Sequence, residues 1–211
     1  MFILAGDIVD KLGNESRTEI FGRVRARCAK LAVLGNWEYA GNVDLVRLRE
    51  FYMRADIRLL VNDGMVLDGL FIFGLDDYLC GSPSGSPADT TSSGLKTIVV
   101  VSHCPQSFEH FENRSETPAV FISGHTHGGQ IAPFGWVLST SCGNGRYAGG
   151  WYHRGNDAMY VMRGIGTTPG LPLRLGARPE VLLLDFTALT RRNTCRGALR
   201  TTVQNMSNRS Q

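Results

Sequence analysis

No two of the five cysteines fall at C-x-x-C spacing. Cys28, Cys80, Cys104, Cys142 and Cys195 are scattered and odd in number, which argues for ordinary thiols and against a disulfide framework. Cys104 stands beside His103, but adjacency in sequence does not make a nucleophile–base pair, so it reads as packing. No apolar run is long enough to span a bilayer. The opening Met1-Phe2-Ile3-Leu4-Ala5 reaches Asp7 too soon to supply the h-region and cleavage site of a signal peptide. A dense basic stripe is lacking too: the net charge is only +3, from 22 Lys+Arg against 19 Asp+Glu, which offers little to a nucleic acid. The glycine-rich loop Gly164-Ile165-Gly166-Thr167-Thr168-Pro169-Gly170 lacks the Lys-Ser/Thr end of a P-loop. The expectation is a chain without a transmembrane segment, cytoplasmic or membrane-associated, with no specific nucleic-acid partner.

What is present suits a substantial core: 43% of the 211 residues are hydrophobic and 19% charged, as in one α/β domain. Four short apolar runs read as buried strands: Phe2-Ile3-Leu4-Ala5, Leu31-Ala32-Val33-Leu34, Ile98-Val99-Val100-Val101 and Ala119-Val120-Phe121-Ile122-Ser123. Each is followed by a polar block: Gly6-Asp7-Ile8-Val9-Asp10, Gly35-Asn36-Trp37-Glu38, Ser102-His103-Cys104-Pro105 and Gly124-His125-Thr126-His127-Gly128-Gly129-Gln130. Open α/β sheets bind ligands beyond the carboxyl ends of their strands. Residues two apart in extended chain face one side, about 6–7 Å apart, so His125 and His127 could serve two metal ions about 3.5–4 Å apart. A lone His-x-His is more often a solvated turn. Asp, Asn and imidazoles at four successive strand ends instead suit a divalent Mn, Fe or Zn.

Along the chain, Ser16 reads as the N-cap of a helix from Arg17 to Lys30, with Glu19 at capping-box spacing. Asn42 or Asp44 starts a second helix with Leu45, Leu48, Phe51 and Tyr52 on one face. Residues 58–61, 65–68 and 70–73 read as strands of a meander, and Asp76-Asp77 as a solvated turn with rim support as the alternative. Residues 80–94 form a Ser/Gly/Pro loop, and Pro105 to Phe111 a short helix. His110 and His153 read as surface or rim residues. Glycines and aromatics from Gly128 to Gly155 suggest loops and short antiparallel strands, with further strands at 160–163 and 181–186. Residues 188–211 carry five arginines and no acid, a disorder-like basic polar tail, so the domain is expected at 1–187.

The blocks resemble the calcineurin-like metallophosphoesterases, whose signature runs D-x-H, G-D-x-x-D, G-N-H-D/E, a lone H and G-H-x-H. Gly6-Asp7-Ile8-Val9-Asp10, His103 and Gly124-His125-Thr126-His127 match the second, fourth and fifth blocks. Gly128-Gly129-Gln130, Pro133-Phe134-Gly135, Arg163-Gly164-Ile165-Gly166 and Arg178-Pro179-Glu180-Val181 look like one bacterial branch. That branch contains membrane-associated phosphodiesterases and UDP-diacylglucosamine pyrophosphatases. The resemblance implies a layered αββα sandwich with mixed sheets. It also implies a two-metal hydrolase whose activated water attacks a phosphodiester, phosphomonoester or pyrophosphate, in a lipid or a nucleotide-sugar.

Carried over residue by residue, Asp7 is the bridging carboxylate and Asn36, His103 and His125 complete one metal position with it. His127 belongs to the other. Asp10 and Glu38 are expected to orient the ligands. Two blocks depart from the pattern. D-x-H is absent, which implies a missing N-terminal β-α unit, one complete metal site and an unpaired edge at Phe2–Ala5 that could template self-association. Gly35-Asn36-Trp37-Glu38 has Trp37 where the family has a histidine that stabilises the transition state or protonates the leaving group; an indole N–H can donate a hydrogen bond but cannot shuttle a proton at neutral pH. The competing readings are a metal-binding relative without catalysis, or a truncated product, and a nucleic-acid-binding module resting only on the arginines of 188–211.

Overall fold

The computed structural model describes residues 1–8, 20–41, 43–85, 97–111, 117–138, 142–168, 170–186 and 201–205. Two sheets hold it together. In the smaller, β1 (Phe2–Ala5), β2 (Lys30–Val33) and β3 (Arg58–Leu59) run parallel in that order. The larger has six strands in the order β4 (Asp63–Leu67), β5 (Leu70–Gly74), β6 (Thr97–Ser102), β7 (Ala119–Ser123), β9 (Asp157–Val161) and β8 (Gly150–Arg154). Its centre, β5 to β6 to β7 to β9, is parallel, and both outer strands are antiparallel to their neighbours, which makes the sheet mixed.

Alternation along each strand sorts the side chains into three apolar layers. Ile98 and Val100 of β6 join Phe71, Phe73, Phe121 and Phe108, the last on the helical turn α3 (Ser107–His110). Val99 and Val101 point the other way and meet Leu31 and Val33 of β2 between the sheets. Ala32, between those two, faces Leu48 and Tyr52 of α2 (Leu45–Arg54). The order is therefore helix, sheet, sheet, helix: an αββα sandwich. Strands buried on both faces have no polar side to show, which is why they appear in the sequence as unbroken apolar runs.

Asp44 caps α2, its side chain accepting from the Val46 amide at 2.8 Å. Elsewhere tertiary pairing overrides local pattern. The helix expected from Arg17 to Lys30 is helical at 20–23 among described residues, and 24–29 are not helical. The Phe2 amide donates to Ala29 at 3.0 Å and Lys30 pairs with Phe2, so the end of that segment is drawn into the sheet. Ser16 and Glu19 lie outside the described residues. The strand expected at 58–61 is only two residues long, and the helix expected from Pro105 is the single turn α3. Within the stretch read as a basic tail, Thr201–Asn205 form β11, antiparallel to β10 (Glu180–Leu184). Among described residues β1 is an edge of its sheet.

Candidate metal centre

β1, β2, β6 and β7 end on the same side of the sandwich, and their following residues meet there. The Gly124 amide donates to the His103 carbonyl at 3.0 Å, tying the β6 and β7 ends together. His103 Nδ1 lies 2.7 Å from the Ala5 carbonyl, which joins the large sheet to the small one. Close approach needs glycine at two points. A Cβ on Gly6 (φ +82°) would lie 2.6 Å from His103 Nδ1, and one on Gly35 2.4 Å from Asp7 Oδ1.

Asp7, His125 and His127 themselves adopt left-handed φ of 57°, 66° and 51°. Non-glycine residues rarely do so, and such strain gathers at functional sites. The two histidines are thus not on extended chain, as the sequence reading assumed. They sit on a turn continued by a 3₁₀ segment at His127–Gly129, and their separation follows from that turn.

Asp7 Oδ2 lies 2.9 Å from His103 Nε2, which lies 3.0 Å from His125 Nδ1. A carbonyl only accepts. The Ala5 carbonyl therefore takes a proton from His103 Nδ1, and the Cys142 carbonyl takes one from His125 Nε2. His103 Nε2 then turns its lone pair toward both Asp7 Oδ2 and His125 Nδ1, which are acceptors themselves. Three converging electron pairs are stable only with a cation among them, either a proton on His103 or a divalent ion that replaces it. Donors at right angles, each about 2.1 Å from one ion, sit about 3.0 Å apart, which matches the two distances here. The donor set fits a divalent metal.

The electrostatics agree. Burial alone would push the Asp7 carboxyl up, but the hydrogen bond and charge of His103 and the Trp37 amide hold it below its ordinary value. Burial pulls His103 down, and the Asp7 carboxylate overrides it and raises the imidazole. Burial and the neighbouring His103 lower His125. Burial and Arg174 lower His127.

Asn36 opens the short helix α1 (Asn36–Ala40), and its Oδ1 is buried without a hydrogen-bond partner among the described residues. An orphaned buried acceptor is costly unless something covers it. Glu38, fully buried, accepts from the amides of Asp7 (3.0 Å), Ile8 (2.7 Å) and Gly35 (2.8 Å), lashing the end of β1 to the turn after β2. The Trp37 amide donates to Asp7 Oδ1 at 2.9 Å. Asp10 lies outside the described residues. His127 stands apart from the tight group: its Nδ1 lies 3.1 Å from Gln130 Oε1.

Sequence reasoning missed several neighbours. Cys104, read as packing, has its sulfur within 4.8 Å of ring nitrogens of His103 and His125. Burial, with the charge and hydrogen bond of Asp77, pushes its thiol far above the ordinary value, so it stays protonated and donates to Asp77 Oδ1 at 3.3 Å. Asp76 and Asp77, read as a solvated turn, are buried. Asp77 accepts from the Leu79 and Cys80 amides, and Asp76 from the Tyr39 hydroxyl and the Ser82 amide. His110 and His153 are exposed, as expected, stacking on Tyr78 and Trp151.

No protein-family model matches the chain. An uncharacterized metallophosphoesterase of Helicobacter pylori is 27% identical over 194 residues, covering 87% of this chain and 50% of the relative. Uncharacterized metallophosphoesterase YkuE of Bacillus subtilis is 28% identical over 198 residues, covering 88% of this chain and 67% of the relative. Phosphodiesterase YaeI of Escherichia coli is 36% identical over 116 residues, covering 54% of this chain and 40% of the relative. The chain spans about half the length of several of the curated relatives it matches. With its strand-end donors gathered in an αββα sandwich, the chain is similar along most of its length to proteins named metallophosphoesterases.

Proposed function

We propose that the protein is a metal-dependent phosphoesterase that hydrolyses a phosphodiester, phosphomonoester or pyrophosphate bond. Asp7, Asn36, His103 and His125 hold one divalent ion, Mn, Fe or Zn, and His127 turns toward a second. The observation that carries this reading is the meeting of Asp7 Oδ2, His103 Nε2 and His125 Nδ1, with both tautomers fixed by carbonyls so that only acceptors face one another. A bound divalent ion supplies Lewis acidity toward a phosphoryl oxygen and makes water acidic enough to attack phosphorus near neutral pH. The chain's own part is to hold the donors: Ala5 and Cys142 orient the rings, and Glu38 and the Trp37 amide fix Asp7. The phosphodiesterase name of the Escherichia coli relative favours a diester among the three substrates.

Trp37 sets a limit on the chemistry. A poor leaving group needs a proton as it departs, and an indole cannot supply one. Reloaded with Mn after chelation, the protein is expected to hydrolyse activated aryl phosphodiesters and to act poorly on alkyl ones. Trp37→His should raise turnover of the alkyl ester more than that of the aryl ester. An equal response of the two esters would remove Trp37 from the leaving group. The second reading, a metal-binding relative without catalysis, rests on the same tryptophan, and retained metal with no hydrolysis of either ester would establish it.

A further inference from the structure

A neutral histidine offers a metal only the ring nitrogen that carries no proton, and which nitrogen that is depends on what the other one touches. For His127 the neighbour is Gln130, whose carboxamide is oriented by backbone groups. Its Nε2 donates to the Leu171 carbonyl at 2.7 Å, and its Oε1 accepts the Thr168 amide at 2.8 Å. A carbonyl only accepts and an amide N–H only donates, so turning the carboxamide over would break both bonds and set like against like. Oε1 also lies 3.0 Å from the Thr168 hydroxyl and 3.1 Å from His127 Nδ1. An amide oxygen has no proton to give, so Nδ1 is the ring nitrogen that bears one.

The turn around the ring is held as firmly. Gln130 is buried and stands at a left-handed φ of 53°. Its carbonyl accepts the Leu175 amide at 2.9 Å, and its amide donates to the His127 carbonyl at 3.1 Å. That carbonyl also accepts from Arg174 Nη1 at 3.1 Å. A Cβ on Gly128 (φ +63°) would lie 2.8 Å from Arg163 Cγ, so the next residue is packed against a side chain as well. Gln130 is thus the staple between the His127 turn and the loop from Thr168 to Leu175. The ring it holds is near enough to the metal centre to feel the Asp7 carboxylate.

We infer that Gln130 is a positioning residue: its Oε1 keeps the proton of His127 on Nδ1, so that Nε2 presents its electron pair to the metal centre. A free neutral histidine favours the opposite form, with the proton on Nε2. The carboxamide therefore selects a tautomer that the ring does not prefer in water. Fixing the ring in advance removes a rearrangement that metal binding would otherwise require. The use of Nε2 as a ligand rests on the phosphoesterase reading; the tautomer does not.

The test is made on the full chain, isotope-labelled and metal-free, at about pH 8, above the ordinary imidazole range. Long-range proton–nitrogen couplings report the tautomer of each histidine, and the His127 signals are those lost in His127→Phe. The proton is expected on Nδ1 in wild type and in Gln130→Glu, whose carboxylate keeps an acceptor at that place. In Gln130→Met, of similar length and without an amide oxygen, it should move largely to Nε2. Zn, which is diamagnetic, is then titrated in, and the apparent affinity read from the His127 Nε2 resonance should fall by about 10–100-fold in Gln130→Met. A wild-type proton on Nε2 overturns the inference, and that result needs no variant to fold. So does an Nδ1 proton that persists in Gln130→Met, which would leave Gln130 as a tie between loops alone. A Nε2 resonance indifferent to Zn, in a wild type protonated on Nδ1, overturns instead the place of His127 in the phosphoesterase reading.

Discussion

His103→Ala is expected to strip the protein of tightly held divalent metal, with an affinity loss of more than about 100-fold. Changing residues that merely support a ligand already costs about 10–100-fold, and His103 sits at the middle of the donor group. Its Nε2 is the atom from which both Asp7 Oδ2 (2.9 Å) and His125 Nδ1 (3.0 Å) are within contact. Alanine also leaves the Ala5 carbonyl without its partner and empties a fully buried volume between the two sheets' ends. The measurement is elemental analysis of protein treated with chelator, reloaded with Mn and desalted, beside the same preparation of wild type. His110→Ala and His153→Ala, both on exposed rings stacked against neighbouring aromatics, should retain wild-type metal. If His103→Ala folds poorly, His125→Ala answers the same question from a less buried position. Wild-type metal content in both His103→Ala and His125→Ala would refute the assignment of this centre, and metal lost equally from His153→Ala would move it elsewhere.

The central strands were legible because they lie between two apolar layers. Val99 and Val101 face the small sheet while Ile98 and Val100 face the outer core, so between Thr97 and Ser102 neither side of β6 carries a polar residue. The polar block after each run was equally legible, since a strand that ends in Asp, Asn or His at a sheet's carboxyl edge has few structural reasons to do so. What the sequence hid depends on partners far along the chain. Asp77 is buried because Cys104 and two local amides meet it, and Asp76 because Tyr39 does. No spacing rule links those positions. The extended conformation expected for His125–His127 was misjudged for a local reason: both adopt positive φ, which a histidine-rich turn does not announce. Phe134 and Trp136 read as part of a glycine-and-aromatic stretch of loops, and only their full exposure beside a stapled loop distinguishes them from core.

Glu38→Gln is expected to lower both stability and metal affinity, although the side chain's shape is conserved. The buried carboxylate accepts three backbone amides: Oε2 takes those of Asp7 and Gly35, and Oε1 takes that of Ile8. A carboxamide has one acceptor oxygen and one NH₂ donor group. Whichever way it is turned, NH₂ faces at least one N–H that loses its acceptor. Charge-assisted bonds contribute more than neutral ones, and a buried donor left without a partner costs about 1–3 kcal/mol. With the lost charge included, a loss of about 3 kcal/mol is expected. For a chain of this size each kcal/mol moves the melting temperature by roughly 2–4 °C, so the midpoint should fall by roughly 6–12 °C. Glu50→Gln, on the exposed face of α2, should stay within about 0.5 kcal/mol of wild type. The metal readout separates two roles. Glu38 holds the Asp7 and Ile8 amides, and Asp7 supplies the carboxylate of the centre, so Mn affinity should fall by about 10–100-fold as the Asp7 turn loosens. A lowered melting temperature with unchanged Mn affinity would mean that Glu38 secures the chain crossing from β1 to α1 and leaves the aim of the carboxylate to the Trp37 amide.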